Sequence, residues 1–222
     1  MRSMANEVLL IETWVSPFAQ RAKIALEEKG IKYETKQEDL QEKSELLLKS
    51  NPIHKKVPVL IHNGKPVCES TLIVEYIDDA WNDVAPFFPK DPYEKYQVKF
   101  WANYVDSKVW DAGANIWKLN GEARQEAKKT FIEIIKVLEG ELGEKKYFGG
   151  ETFNYVDILL APFNNWLYTY EQHANFSSEA EIPKYVAYTK RCLERPSVAK
   201  ALPDPKKSYE YILNLKKKLG IE

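Results

Sequence analysis

A small layer of mixed α/β structure followed by an all-helical region is the fold class that the sequence predicts. Three observations carry that prediction. Strand-like apolar runs alternate with helical patterns only before residue 82. Residues 82–92 hold three prolines (Pro86, Pro89 and Pro92) and show no periodicity, as a linker does. Beyond them, long aromatic-rich segments keep helical spacing and give no strand signal.

Each element follows from local chemistry. Val8, Leu9, Leu10 and Ile11 read as a buried strand that ends by Thr13. Pro17 opens a helix running to Gly30, because a first-turn proline lacks only an N–H that would have no intrahelical partner. Residues 31–36 set Ile31, Tyr33 and Thr35 against Lys32, Glu34 and Lys36, which is the strand period. Residues 44–49 suit a short helix. Residues 57–62 and 65–69 form a hairpin around Asn63-Gly64, a pair that tolerates the positive φ needed at both turn positions. Ser70 is expected to cap a helix through Leu72, Ile73, Tyr76 and Ile77 that ends near Trp81. The order β-α-β-(α)-β-β-α, with a parallel crossover and then an antiparallel hairpin, matches the thioredoxin-like layout, a mixed four-stranded sheet. Residues 1–81 therefore make one domain, 82–92 the linker and 93–222 an all-helical domain. Helices are expected over 93–119, 121–142, 154–172, 183–194 and 205–218. Asn154 and Asp157 form a capping arrangement before Ile158, Leu159 and Leu160.

Bulk properties narrow the function. A net charge of −1, from 32 basic and 33 acidic residues, gives no field that would favour nucleic acid or an anionic membrane. No apolar run reaches the length of a membrane span, and the N-terminus lacks the apolar segment and cleavage site of a secretory signal, with Met4 offering a second start. Cys68 and Cys192 are too isolated for a disulfide framework, and His54, His62 and His173 show no ligand spacing, so no metal is expected. A cytoplasmic protein is the expectation.

The chemistry centres on the first strand-to-helix junction. A thioredoxin-like fold carries its redox Cys-Pro-x-Cys there; this chain has Ser16-Pro17-Phe18-Ala19, so dithiol exchange has no sulfur to use. Ser16 alone reads as a helix N-cap. Its hydroxyl nevertheless stands beside free backbone N–H groups, where a thiolate brought by a ligand is stabilised. Val57-Pro58 precedes the third strand, where this layout offers backbone to an extended peptide. At Glu69-Ser70, a second helix start suits a carboxylate, and the acidic side chain suits an ammonium. Lys43, Lys55 and Lys56 suit a further carboxylate. A small peptide with an amino-acid head, a second carboxylate and a thiol meets all of these demands, and glutathione is such a peptide.

Longer segments carry a further signal: Trp14-Val15-Ser16-Pro17-Phe18, the run from Lys23 to Ile31, the run from Asn51 to Ser70, Tyr147-Phe148-Gly149-Gly150 and the C-terminal Lys217-Lys218-Leu219-Gly220-Ile221-Glu222. Over essentially its whole length the chain resembles the plant tau-class glutathione S-transferases. The resemblance implies that Ser16 activates the glutathione thiol. It implies that Phe18, Lys43, Lys56, Val57, Glu69 and Ser70 bind glutathione, with Lys43 and Lys56 near the glycine carboxylate. Val57 would bond the cysteinyl backbone, and Glu69 and Ser70 the γ-glutamyl end. Trp14, Phe18, Trp110, Trp117, Trp166 and Tyr211 would form the site for a hydrophobic electrophile, in a cleft between the domains. It further implies a homodimer, and hydroperoxides as a second kind of acceptor. Two departures stand out: Val57 where many relatives have Ile, and Asn154 where the family capping box has Ser or Thr. A carrier of hydrophobic ligands is the alternative reading, and a glutathione-dependent thiol transferase is disfavoured because it needs Cys at position 16.

Overall fold

A computed structural model describes residues 7–221, so Met4 lies outside the described residues. The chain divides into two compact units, the first ending at Phe87 and the second starting at Phe88. The first unit holds β1 (Val8–Glu12), α1 (Pro17–Glu28), β2 (Glu34–Gln37), α2 (Glu45–Ser50), β3 (Val59–His62), β4 (Lys65–Cys68) and α3 (Ser70–Ala80). The strands lie in the order β2-β1-β3-β4, with β1 parallel to β2 and antiparallel to β3, and β3 antiparallel to β4. Asn63 and Gly64 both take positive φ (50° and 76°), as the hairpin demands.

Two sequence expectations shift here for identifiable reasons. β2 begins at Glu34, three residues late, because the N–H of Ile31 is spent on the carbonyl of Leu26 and that of Gly30 on Glu27. These two bonds close α1 in a Schellman motif, with Gly30 at φ 65°. Ser70 is not a cap. Glu69 holds the N-cap position of α3 without a side-chain cap bond, and Ser70 is the first helical residue.

The aperiodic segment after α3 is docked on its own unit. Lys29, whose side chain is fully buried, pairs with Asp78 at 2.7 Å and donates to the carbonyls of Val84 (2.5 Å) and Ala85 (3.1 Å). The other end of this clamp is Phe87, buried, its N–H donating to Asp78 Oδ1 and its ring under the Lys29 ammonium. Such a buried cation is tolerated because it is both paired and hydrogen-bonded.

The second unit is helical: α4 (Pro92–Lys118), α5 (Gly121–Leu142), α6 (Tyr155–Asn164), α7 (Leu167–Ala174), α8 (Ser178–Glu181), α9 (Pro183–Leu193), α10 (Pro196–Ala201) and α11 (Pro205–Leu219). The single helix expected over 154–172 is two. Pro162 removes a ladder donor inside α6, and the two asparagines at the break bond elsewhere. Asn164 Oδ1 accepts from the Tyr185 hydroxyl, and Asn165 Nδ2 donates to Ser208 Oγ. The short helices α8 and α10 are too brief to carry a periodic signal. The capping box is present despite Asn154: its Oδ1 accepts from the N–H groups of Val156 and Asp157, and Asp157 Oδ2 accepts from Asn154 N at 2.8 Å. The other Asp157 oxygen takes the Phe148 N–H (3.1 Å) and the Tyr188 hydroxyl (2.9 Å). Complete burial pushes this carboxyl up to about 6, against the pull of its donors. No helix among the described residues is long and apolar enough to cross a membrane.

Candidate active site

One register row of the sheet explains how distant segments meet. Ile11 lies opposite Val59, and Val59 opposite Cys68. The C-terminal ends of β1 and β4 and the N-terminal end of β3 therefore emerge at the same edge. Ser16 follows from the first, Glu69 and Ser70 from the second, and Val57 precedes the third. Because β2 runs parallel to β1, the segment carrying Lys43 also leaves from this edge.

Ser16 caps α1, with its Oγ accepting from Ala19 N at 3.3 Å. A hydroxyl that accepts from the helix keeps its own proton to donate outward. It is half-buried, and the first turn of α1 holds no acidic residue that would oppose an anion. Phe18, half-buried two residues further on, lies under the Arg21 guanidinium at 5.0 Å.

Arg21 is a residue of this edge that the sequence reading did not single out. It is fully buried on α1, and its Nη1 donates to Ser70 Oγ at 3.0 Å. The only signal in the sequence was an arginine on the apolar face of a helix, a place where long cations rarely sit unpaired. The bond orients the Ser70 hydroxyl and brings positive charge beneath the start of α3. Glu69 stands at φ 67°, ψ 119°, a region that L-residues avoid at a cost of about 1–3 kcal/mol. Its exposed carboxylate lies 3.8 Å from His54 Nε2.

The loop before β3 is organised by Asn51, buried at the end of α2. Its side chain donates to the Lys56 carbonyl (3.0 Å) and accepts from the His54 N–H (3.1 Å). Val57, half-buried against the cluster of Ile11, Leu47 and Val59, precedes Pro58 through a cis peptide bond. Lys43 and Lys56 are exposed. Lys43 is held in place through its neighbour: Ser44 donates to the buried Glu38 from both its N–H and its hydroxyl.

The aromatic residues divide between the units. Trp14 is 40% exposed in the first. In the second, Trp110 stacks on Phe163 (5.9 Å) and meets the Trp166 ring edge-on (5.2 Å). Trp117 and Trp166 retain only 5% and 2% of their surface, so they brace the helices more than they offer area to a ligand. Tyr211, on α11, is half-buried. Among the described residues, no group of His, Cys, Asp or Glu is gathered as a metal would require.

Known proteins share this fold. Residues 8–79 match the N-terminal domain family of glutathione S-transferases, and residues 89–196 match the C-terminal domain family. The chain belongs to the glutathione S-transferase family. It is 57% identical over 221 residues (99% of this chain, 100% of the relative) to the probable glutathione S-transferase parC of Nicotiana tabacum. It is 53% identical over 219 residues (99% of each chain) to glutathione S-transferase U25 of Arabidopsis thaliana. Among solved structures, rice GST1 in complex with glutathione superposes with a TM-score of 0.93 at 43% identity, covering 96% of this chain and 97% of that one. The tau-class enzyme of mango, Mangifera indica, gives 0.89 at 38% identity, over 94% and 98%. This glutathione S-transferase is of the tau class; its activity is glutathione transfer, with glutathione as the co-substrate, and not ligand carriage alone.

Proposed function

We propose that Ser16 donates its hydroxyl proton as a hydrogen bond to the glutathione sulfur and so holds it as a thiolate, which attacks a hydrophobic electrophile or a hydroperoxide oxygen. The observation that carries this is the Ser16 hydroxyl at the N-cap of α1, with its acceptor side occupied by Ala19 N–H and its donor side left for a ligand. An ordinary thiol near pKa ~8.5 is only about 3% thiolate at pH 7, and lowering it by roughly 2 units raises this to about three quarters, for about 2.7 kcal/mol. A charge-assisted hydrogen bond together with the helix dipole supplies that much. Rate rises less than thiolate content, because nucleophilicity falls as pKa falls, with a slope of about 0.4–0.5.

The remaining residues bind. Glu69 takes the amino group of the γ-glutamyl end, and Ser70, oriented by Arg21, takes its carboxylate. Val57 offers its backbone to the cysteinyl unit, Lys43 and Lys56 face the glycine carboxylate, and Phe18 packs beside the peptide. Trp14 and Phe18 in the first unit and Trp110 and Tyr211 in the second offer ring surface to the acceptor, while Trp117 and Trp166, nearly buried, act as support. We assign the enzyme to the cytoplasm, and to a homodimer. The stripe of Tyr93, Tyr96 and Phe100 on α4, 70%, 56% and 48% exposed, supports the second assignment, since it is an apolar face that association would cover. Light scattering of a Tyr93→Ser/Phe100→Ser variant is expected to give the monomer mass.

The decisive kinetic test is Ser16→Ala. Turnover with a generic aromatic electrophile at pH 7 falls, by at most the roughly 25-fold drop in thiolate content, since the less acidic thiolate is the better nucleophile and offsets part of it. Glutathione still binds, measured by calorimetry. Undiminished turnover contradicts the assignment.

A further inference from the structure

We propose that Glu12 and Gln37, supported by Lys23 and Gln20, are positioning residues that fix the Trp14 peptide and through it the placement of Ser16. The inference rests on the role of Ser16 proposed above. Residues 13–16 cross from β1 to α1 as a turn, closed by Ser16 N–H on the Thr13 carbonyl at 3.0 Å. Trp14 occupies the middle of that turn, and both of its backbone groups are held by side chains. Gln37 Oε1 accepts from Trp14 N at 3.0 Å, and Gln20 Nε2, on a side chain 1% exposed, donates to the Trp14 carbonyl at 3.1 Å.

A glutamine amide fits such a site in two orientations, and only one presents oxygen to an N–H. Glu12 selects it. Glu12 lies opposite Gln37 in the parallel ladder, and its Oε1 accepts from Gln37 Nε2 at 2.9 Å. A carboxylate can only accept, so the amide nitrogen must face Glu12 and the oxygen must face Trp14. The carboxylate is 1% exposed, and Lys23 Nζ balances its charge at 3.1 Å. An apolar side chain would serve the end of β1 at lower cost, because a buried carboxylate stabilises nothing unless it is paired. What the charge adds is a direction, handed from Lys23 through Glu12 and Gln37 to the peptide two residues before Ser16. A hydroxyl that must meet a sulfur at hydrogen-bond distance is sensitive to that placement: a displacement near 1 Å costs about 100-fold in rate.

The test uses the full-length enzyme with glutathione and a generic aromatic electrophile. Gln37 is exposed on the edge strand, so its replacement leaves the core intact. Gln37→Met is expected to lower kcat about tenfold, with the glutathione Kd within about twofold, and to move the titration of the bound thiol to higher pH. Gln37→Glu keeps an acceptor for Trp14 N but sets two carboxylates against each other, and should do worse. Glu12→Gln/Gln37→Glu exchanges donor and acceptor. The amide introduced at 12 then donates to the carboxylate introduced at 37, and kcat should return to within about threefold of wild type. Ser16→Ala, run in parallel, separates the two ideas. If it leaves the thiol titration unmoved, the role of Ser16 fails and the relay with it. If it moves the titration while the folded Gln37 variants do not, the relay alone is overturned. Should Gln37→Met unfold, the exchange variant decides: a folded double variant that keeps the Gln37→Glu defect overturns the proposal.

Discussion

The edge of the sheet in the first unit and the aromatic residues of the second are built on opposite plans. At the sheet edge, polar groups hold polar groups: Arg21 on Ser70, Asn51 on the Lys56 carbonyl, Gln37 and Gln20 on the Trp14 peptide. In the helical unit, Trp110, Phe163 and Trp166 hold one another through ring contacts, and the main polar anchor, Asp157, serves the helix start. Hydrogen bonds fix atoms to a few tenths of an ångström in direction, whereas ring packing fixes shape and leaves the polar demand low. The difference fits the proposed division between a constant peptide substrate and a variable hydrophobic acceptor.

Five substitutions at four residues break or sharpen this contrast, beginning with the largest effect. Asp157→Ala leaves the donors of Phe148, Asn154 and Tyr188 buried without their acceptor, and should cost at least about 3 kcal/mol in denaturant unfolding. The milder Asp157→Asn tests the pH dependence. A carboxyl held up to about 6 in the fold, against ~3.9 in the unfolded chain, contributes stability below the lower value and loses it as pH rises through the higher. The Asn substitution, which does not titrate, should therefore cost more at about pH 4 than at about pH 7.5.

Arg21→Met removes a charged donor from Ser70 and should raise the glutathione Kd about tenfold or more, since such bonds are worth about 1.5–3 kcal/mol. If glutathione affinity is unchanged, the polar plan of the sheet edge is wrong. Trp110→Leu keeps the position apolar but loses the ring stack, and should raise KM for an aromatic acceptor about fivefold with glutathione affinity unaltered. A matching loss of glutathione affinity would blur the division of labour. Lys43→Ala should weaken glutathione about two- to threefold, an effect that fades as salt is added, because an exposed charge is screened.

The same contrast governs what could be read from sequence. The hairpin at Asn63-Gly64, the Pro17 helix start and the Asn154/Asp157 box were legible because each is a local motif with a local cause. The break at Asn165–Trp166 was not, since the partners of the Asn164 and Asn165 side chains, Tyr185 and Ser208, lie 21 and 43 residues away. Ser70 was misread as a cap because the sequence does not reveal that Glu69 adopts positive φ, which leaves the Ser70 hydroxyl to Arg21. Arg21 itself, like Gln37 and Glu12, takes its meaning from a partner at least 25 residues away. Ring spacing on α4 could not separate Trp110, half-buried, from Trp117, 5% exposed, because both fall on the inward side of one helix.

The central claim is that the Ser16 hydroxyl holds the sulfur of glutathione as a thiolate. Titrating the ultraviolet absorbance of the bound thiolate against pH, in the wild type and in Ser16→Ala, measures this directly. The account predicts a wild-type midpoint roughly 2 units below the ordinary thiol value of ~8.5, returning close to that value in the variant. Equal midpoints in the two proteins would contradict it.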